Sequence, residues 1–475
     1  MSNAAILWLL TGLFCAAFAV ISIRAKDRAS VSFKSYSIGN GDFPFVFLFF
    51  TYFATIMGAG NFFGHAGSAY ENGLPWLVYI FGEQGAKLIF ALVFAGMAGA
   101  FTYKTLPEMI NDLVVNDRVT RAIMAVMITI LLVAMTGGQS KALGQIFAEF
   151  TGADPSAIMV LFSLVFILFT CFGGIYSVIW NDLMQGILCV VLSAIFYVFT
   201  FSKVDFSLAC LGEKLSEVGK AELWSFTSVS TGNLINKFIT GLIGILVSQV
   251  IWQRCFSSKD STQARNSLFL SGIICIVVTS LTALVGLVIV TLNQGLDANT
   301  AMSWYMANVL PRGLVFCLYL LVLCAGMSTA DSALNSCAIV IVNDIIHPLF
   351  PNMSDKRLVA SAKTITVFVG IASCAAGIYS TSIYSLISGS NQLAASAMAP
   401  IVCIGLFWKR NKCAHELGKL NSRVTPWGAR ASLIVGFVVA LLPVFKDTAT
   451  LAAVFFGSVA LVVVSLVTKG SIMEE

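Results

Sequence analysis

The stretch Ala54-Thr55-Ile56-Met57-Gly58-Ala59-Gly60-Asn61-Phe62-Phe63-Gly64 sits inside an apolar run, 44–67, long enough to cross a bilayer. Three glycines and an asparagine fall in mid-run, where a lipid-facing backbone has no water to satisfy it. Glycine favours a broken helix whose freed carbonyls and amides line a cavity. The competing reading is close packing of a neighbouring helix against small residues. The choice decides whether the chain forms a plain bundle or one built around a midplane site.

Outward from this stretch the same composition repeats. Of 475 residues, 58% are hydrophobic and 11% charged; a soluble domain is about 25% charged. Apolar runs predict an all-α membrane protein of about thirteen spans: 4–23, 44–67, 76–101, 120–147, 156–173, 178–201, 234–252, 267–293, 313–343, 359–379, 384–407, 426–444 and 450–468. Residues 105–115 and 299–310 read as short helices beside the membrane, and 202–233 as a large loop that holds another. Everything else is short loop, so 1–475 reads as one transmembrane domain. The block Ala4–Ile23 has no basic residues before it and reads as a retained helix, not a signal peptide.

Eighteen of the 28 basic residues, Arg24, Lys104, Arg121 and Arg254 among them, fall in loops assigned to one side. By the positive-inside rule the N-terminus is outside and the C-terminus cytoplasmic, in a multi-pass protein of the plasma (inner) membrane. The net charge of +5 is therefore a topology signal and not a nucleic-acid patch. Twelve scattered cysteines have no C-x-x-C spacing and read as packing residues. Walker, HExxH and G-x-S-x-G motifs are absent, which argues against a membrane enzyme or sensor.

A second polar segment is Ala325-Gly326-Met327-Ser328-Thr329-Ala330-Asp331-Ser332. Ala325, Ser328 and Thr329 stand at i, i+3 and i+4 and share a helix face. Two hydroxyls and a carbonyl are the oxygen donors a hard cation takes; the same hydroxyls also bond back to their own helix in many proteins. Asp182 and Asp331 are membrane carboxylates, the type that marks an ion path, although Asp182 is also close enough to a helix end to be wetted. Glu83 and Lys87, at i and i+4, read either as a neutralising pair or as site residues. Gln139 and Lys141 read as solute contacts or as snorkelling side chains, and His65 as a packed residue or a proton or solute contact.

Taken together, these segments resemble the sodium/solute symporter family. The resemblance runs from about 36 to 410. It rests on the break ending in Asn61-Phe62-Phe63-Gly64, on Gly173-Gly174 with Asn181-Asp182 and Gln185, on Gln253-Arg254 with Lys259 and Arg265, on Met327 to Ser332, and on Leu406-Phe407-Trp408-Lys409. It implies a five-plus-five inverted-repeat core, with repeats at 44–201 and 234–407. An extra helix at 4–23 and two at 426–468 flank the core. It also implies that the first helix of each repeat is broken. The family's sodium site would fall on the carbonyls of Ala54, Met57 and Ala325 and the hydroxyls of Ser328 and Thr329. Asp182, with Asp331 and Ser332, would serve a second sodium or an ion path. The seventh span lacks the aromatic gate and asparagine of sugar carriers, so an amino acid, vitamin or carboxylate is favoured over a sugar.

The expectation is a sodium-coupled importer of a small polar organic solute, with Asn61, Glu83, Gln139, Lys141, Gln249 and Asn391 facing the solute. Sodium, the solute and the bilayer are its partners; no nucleic acid and no obligate protein partner are expected. A proton-coupled carrier titrating at Glu83, Asp331 or His65 is the alternative.

Overall fold

A computed structural model describes residues 3–41, 43–97, 103–410, 420–445 and 448–468, the side chains of Asn3, Ile56, Asn61, Tyr384, Ser385 and Ser388 excepted. Helices α1 (Asn3–Ala29) and α2 (Phe33–Ile38) lead into α3 (Phe45–Ile56) and α4 (Ala59–Asn72). The quoted stretch is therefore a broken helix. Gly58 caps α4 with φ −63° and ψ 159°, an extended conformation that ends one helix and starts the next. Then come α5 (Pro75–Val93), the short α6 (Leu106–Leu113) and α7 (Arg118–Thr151). Asp117 caps α7 at its start, and Gly152 ends it with a φ of 70°.

Helix α8 (Pro155–Phe201) joins the two segments that the sequence separates at 174–177. Its 47 residues are two helices that meet at a break at Gly174, and they supply the two spans that the sequence predicts. The expected loop is a bend instead. Gly174 takes φ 49° and ψ −144° there, and a Cβ on it would stand 2.7 Å from Tyr36 O, so the bend requires glycine.

Helix α9 (Leu208–Glu217) lies in the large loop. A second broken pair follows, α10 (Thr231–Leu246) and α11 (Gln249–Phe256), interrupted at Val247 and at Ser248, where ψ is 109°. The remaining helices are α12 (Ser261–Leu292), α13 (Ala301–Asn308), α14 (Arg312–Ile341), α15 (Asp355–Tyr379), α16 (Ile383–Ser390), α17 (Pro426–Leu441) and α18 (Ala449–Val467). Helix α14 continues through a wide turn at Val342–Ile346. Helix α16 continues through two such turns, Asn391–Ala395 and Ile401–Gly405, on either side of Pro400, which has no amide to give.

Among the described residues nine helices are long and apolar enough to cross a membrane, and three shorter apolar ones lie at Phe45–Thr55, Asn391–Gly405 and Pro426–Leu441. Polarity is arranged as lipid demands. Leu161, Leu164, Leu168 and Phe172 face outward on α8, whereas Glu83, Lys87, Asp182, Arg254 and Asp331 are buried. Helix α14 is the hub and packs on α3, α4, α7, α8 and α15. The C-terminal pair is fastened by Arg430, whose Nη2 lies 2.6 Å from Asp117 Oδ1. Burial pushes the Asp117 carboxyl up, but Arg430 and Thr120 hold it well below the usual carboxylate range.

Candidate cation and solute site

Because the backbone leaves the helical path at Met57 and Gly58, the last carbonyls of α3 and the first amides of α4 lose their partners within the helix. Two other helices supply new ones. Thr329 Oγ1, on α14, lies 2.8 Å from Thr55 O and 2.9 Å from Ala325 O. Gln139 Oε1, on α7, accepts from Gly60 N at 2.8 Å. A Cβ on Gly58 would stand 2.6 Å from Thr329 Oγ1 and 2.8 Å from Gln139 Oε1. The two readings of the glycines are thus both correct: the helix is broken, and its neighbours approach as close as only glycine allows.

A buried ionic network adjoins this junction. Asp182 and Arg254, on α8 and α11, are both fully buried, with Nη2 3.3 Å from Oδ2. Arg254 also donates to Thr51 Oγ1 (2.9 Å), Thr55 Oγ1 (3.0 Å), Ser332 Oγ (2.5 Å) and Val250 O (3.2 Å). Asp182 accepts from Thr51 and, through its other oxygen, from Ser328. Ser328 therefore ties the helix face bearing Thr329 to the carboxylate. Asp331 turns to a different helix contact and accepts from Thr170 at 3.4 Å.

Beside the break lies a cavity, partly open to solvent. One face of α7 (Ile128, Leu131, Leu132 and Met135) forms an apolar wall; Gly241, Gly244, Ser248 and Gln249 bring the α10–α11 break to it, and Thr55, Glu83, Ser390 and Asn391 add polar atoms. The Glu83 carboxylate turns to His65 (3.3 Å) and to Gln84 Nε2 (2.7 Å), and makes no ion pair with Lys87 among the described residues. Gln249 is tied to the segment before α6: its Oε1 accepts from Leu106 N (2.7 Å) and its Nε2 donates to Lys104 O (3.2 Å).

Of the six expected solute contacts, Glu83, Gln249 and Asn391 meet on this cavity. Gln139 instead holds the start of α4, and Lys141 Nζ donates to Ser380 O at 2.6 Å, at the end of α15. The Asn61 side chain lies outside the described residues.

At one end of the bundle a polar latch joins α6, α7 and α14. Arg121 Nε lies 2.7 Å from Asp344 Oδ1, and Arg121 Nη2 donates to Asn343 O at 3.0 Å. Thr105 Oγ1 donates to the same Asp344 oxygen at 3.0 Å.

The sodium:solute symporter family profile matches residues 36–418. The chain belongs to this family. Curated relatives of this symporter-family chain include a sodium/sialic acid symporter of Aliivibrio fischeri, 23% identical over 61% of this chain and 61% of the relative. Another is a high-affinity proline transporter of Bacillus subtilis, 24% identical over 82% and 86%. The chain spans about three fifths of the length of the sialic acid symporters it matches. Among solved structures, a substrate-bound, outward-open sodium-coupled sialic acid symporter superposes with a TM-score of 0.82 at 18% identity, covering 98% of this chain and 97% of that one. Mhp1, a nucleobase-cation-symport-1 family transporter, gives 0.62 at 15% identity, covering 92% and 95%. The family fold is thus shared over nearly the whole chain.

On this symporter-family scaffold the sequence reading needs one correction. Arg254, counted among the loop charges, is fully buried. Helix α11 carries it inward to Asp182, a partner distant in sequence. Thr51 and Thr55, which complete its shell, were legible only as ordinary residues of an apolar run, and no signal short of the fold distinguishes them.

Proposed function

We propose that this chain is a secondary active symporter in which sodium drives the inward movement of a small polar organic solute by alternating access. The observation that carries this reading is the meeting of the α3–α4 break with the hydroxyl face of α14, with Thr329 Oγ1 between Thr55 O and Ala325 O. Sodium, as co-transported cargo, would take the carbonyls of Ala54, Met57 and Ala325 with the hydroxyls of Ser328 and Thr329, an all-oxygen set suited to a hard cation. Thr55 couples the two ligands, because its carbonyl lies in this junction and its residue lines the solute cavity.

Sodium draws α14 and the break together and thereby orders the cavity wall; by linkage the solute raises sodium affinity to the same degree. Glu83, Gln249 and Asn391 face the solute, while Gln139 and Lys141 hold the helix ends around it. Asp182, Ser332 and Asp331 form the path by which the ion leaves. The broken pairs α3–α4 and α10–α11 open the two inverted repeats, 44–201 and 234–407. The excess of basic residues in alternate loops supports an N-terminus outside and a cytoplasmic C-terminus in the plasma membrane. No step involves covalent chemistry.

The purified protein should be stabilised by sodium over potassium, by about 2.7 kcal/mol at one hundred times the dissociation constant. Ser328→Ala with Thr329→Ala should abolish that difference in thermal unfolding; a double variant that still distinguishes the two ions removes the assignment. The His65–Glu83 contact supports a second reading, proton coupling. Solute uptake driven by a pH gradient in sodium-free vesicles would favour it.

A further inference from the structure

Glu83 is the only charged side chain lining the cavity among the described residues. It is 8% exposed and lines the cavity. Both of its close polar neighbours, His65 and Gln84, engage the same oxygen, Oε2, which leaves Oε1 for the cavity. Lys87, buried one helical turn on, acts on this charge from a distance but makes no ion pair with Glu83 among the described residues. Trp76 Nε1 can only donate, and it donates to His65 Nδ1 at 3.1 Å. Nδ1 is therefore the unprotonated nitrogen, and the single ring proton sits on Nε2, facing Glu83. Lys87 does not line the cavity. The wall opposite is apolar, and the other polar groups there are hydroxyls and amides.

We propose that the transported solute is an organic cation: a protonated amine or guanidinium on a compact, partly apolar body, with its N–H groups on Glu83 Oε1. This rests on the reading that the cavity carries the solute of a sodium-coupled cycle, and it departs from the amino acid, vitamin or carboxylate that the sequence favoured. A free carboxylate in this cavity would meet Glu83 with no cationic side chain to receive it. A neutral polyol would leave the carboxylate oxygen without a matched charge. A quaternary ammonium would fit less well, because it has no N–H to give and is ordinarily recognised by aromatic faces, which are absent from the cavity lining among the described residues.

Thermal unfolding of the full-length protein, in sodium and in potassium, tests this with three solutes of one shape: 3-methylbutylamine (cation), 3-methylbutanol (neutral) and 3-methylbutanoate (anion). Agmatine, putrescine, choline, myo-inositol, pantothenate and N-acetylneuraminate complete the panel. Stabilisation is expected from one or more of the N–H-bearing cations, stronger in sodium. Glu83→Gln should weaken it by about 10–100-fold in affinity, as loss of a charge-assisted hydrogen bond does, while Glu83→Asp retains part of it. The sodium-against-potassium difference without solute serves as the control for folding in each variant. If that difference is absent in the wild type, the sodium reading fails while the solute ranking still stands or falls by charge. A panel in which no N–H-bearing cation stabilises the protein overturns the proposal, and so does a cation that binds Glu83→Gln as tightly as the wild type.

Discussion

Burying Arg254 beside Asp182 strips both ions of water, and the geometry offsets this with hydrogen bonds from the guanidinium to Thr51, Thr55, Ser332 and Val250 O. Such a pair depends on both members. Asp182→Asn should leave an unmatched guanidinium and cost about 3–5 kcal/mol of stability. Removing both charges, as Asp182→Asn with Arg254→Gln, should cost less than the sum of the single changes. Thermal unfolding of the four proteins measures this, and additive losses would show that the pair is not coupled. Because Ser328 donates to Asp182, Asp182→Asn should also weaken sodium-dependent stabilisation. The i, i+3, i+4 pattern of Ala325, Ser328 and Thr329 was legible in the sequence because helical spacing alone puts them on one face. The depth of Arg254 was not, since a basic residue near the end of an apolar run looks the same whether it points to water or to a buried aspartate.

Among the elements, the two broken helices carry the site, and the latch at α6 adjoins it through Gln249. Gln249 joins the two features, because it lies at the start of α11, lines the cavity and binds Leu106 N and Lys104 O. Thr105, in that same segment, donates to Asp344 in the turn after α14, and Asp344 pairs with Arg121 of α7. Arg121→Ala should loosen this latch. If the contact contributes about 1–2 kcal/mol, the open population rises by about 5–30-fold. A cysteine at Ile128, on the cavity wall, in a background without other reactive cysteines, would report this as faster labelling by a water-soluble thiol reagent from the α6 side. An unchanged rate would mean that these contacts are structural and not a gate. The break in α3–α4 was readable from its glycines. The break in α8 was readable too, although Gly173-Gly174 signals a departure from helix without saying how short it is.

For the molecule as a whole, the consequence is electrical. One sodium moving inward with a singly charged cationic solute carries two charges, and a membrane potential of 100 mV then assists import by about 4.6 kcal/mol, at about 2.3 kcal/mol per charge. In proteoliposomes the ratio of charge to solute should be two for an amine solute of single charge. A ratio of one would mean that the solute enters neutral or that sodium does not accompany it.

What the sequence by itself determined was the class of protein and the order of its parts. Long apolar runs admit only membrane helices, because lipid satisfies no backbone group. Glycine and hydroxyl spacing then marked one interrupted helix and one polar helix face. Only the tertiary structure decided which polar groups meet. Thr329 finds Thr55 from 274 positions away, and Ser328 finds Asp182 from 146. Helical periodicity orients a side chain about its own axis but carries no information on the neighbour it will face. That depends on how all the helices pack at once, which is also why Glu83, Gln249 and Asn391 came to share a cavity while Gln139 and Lys141 went to hold helix ends.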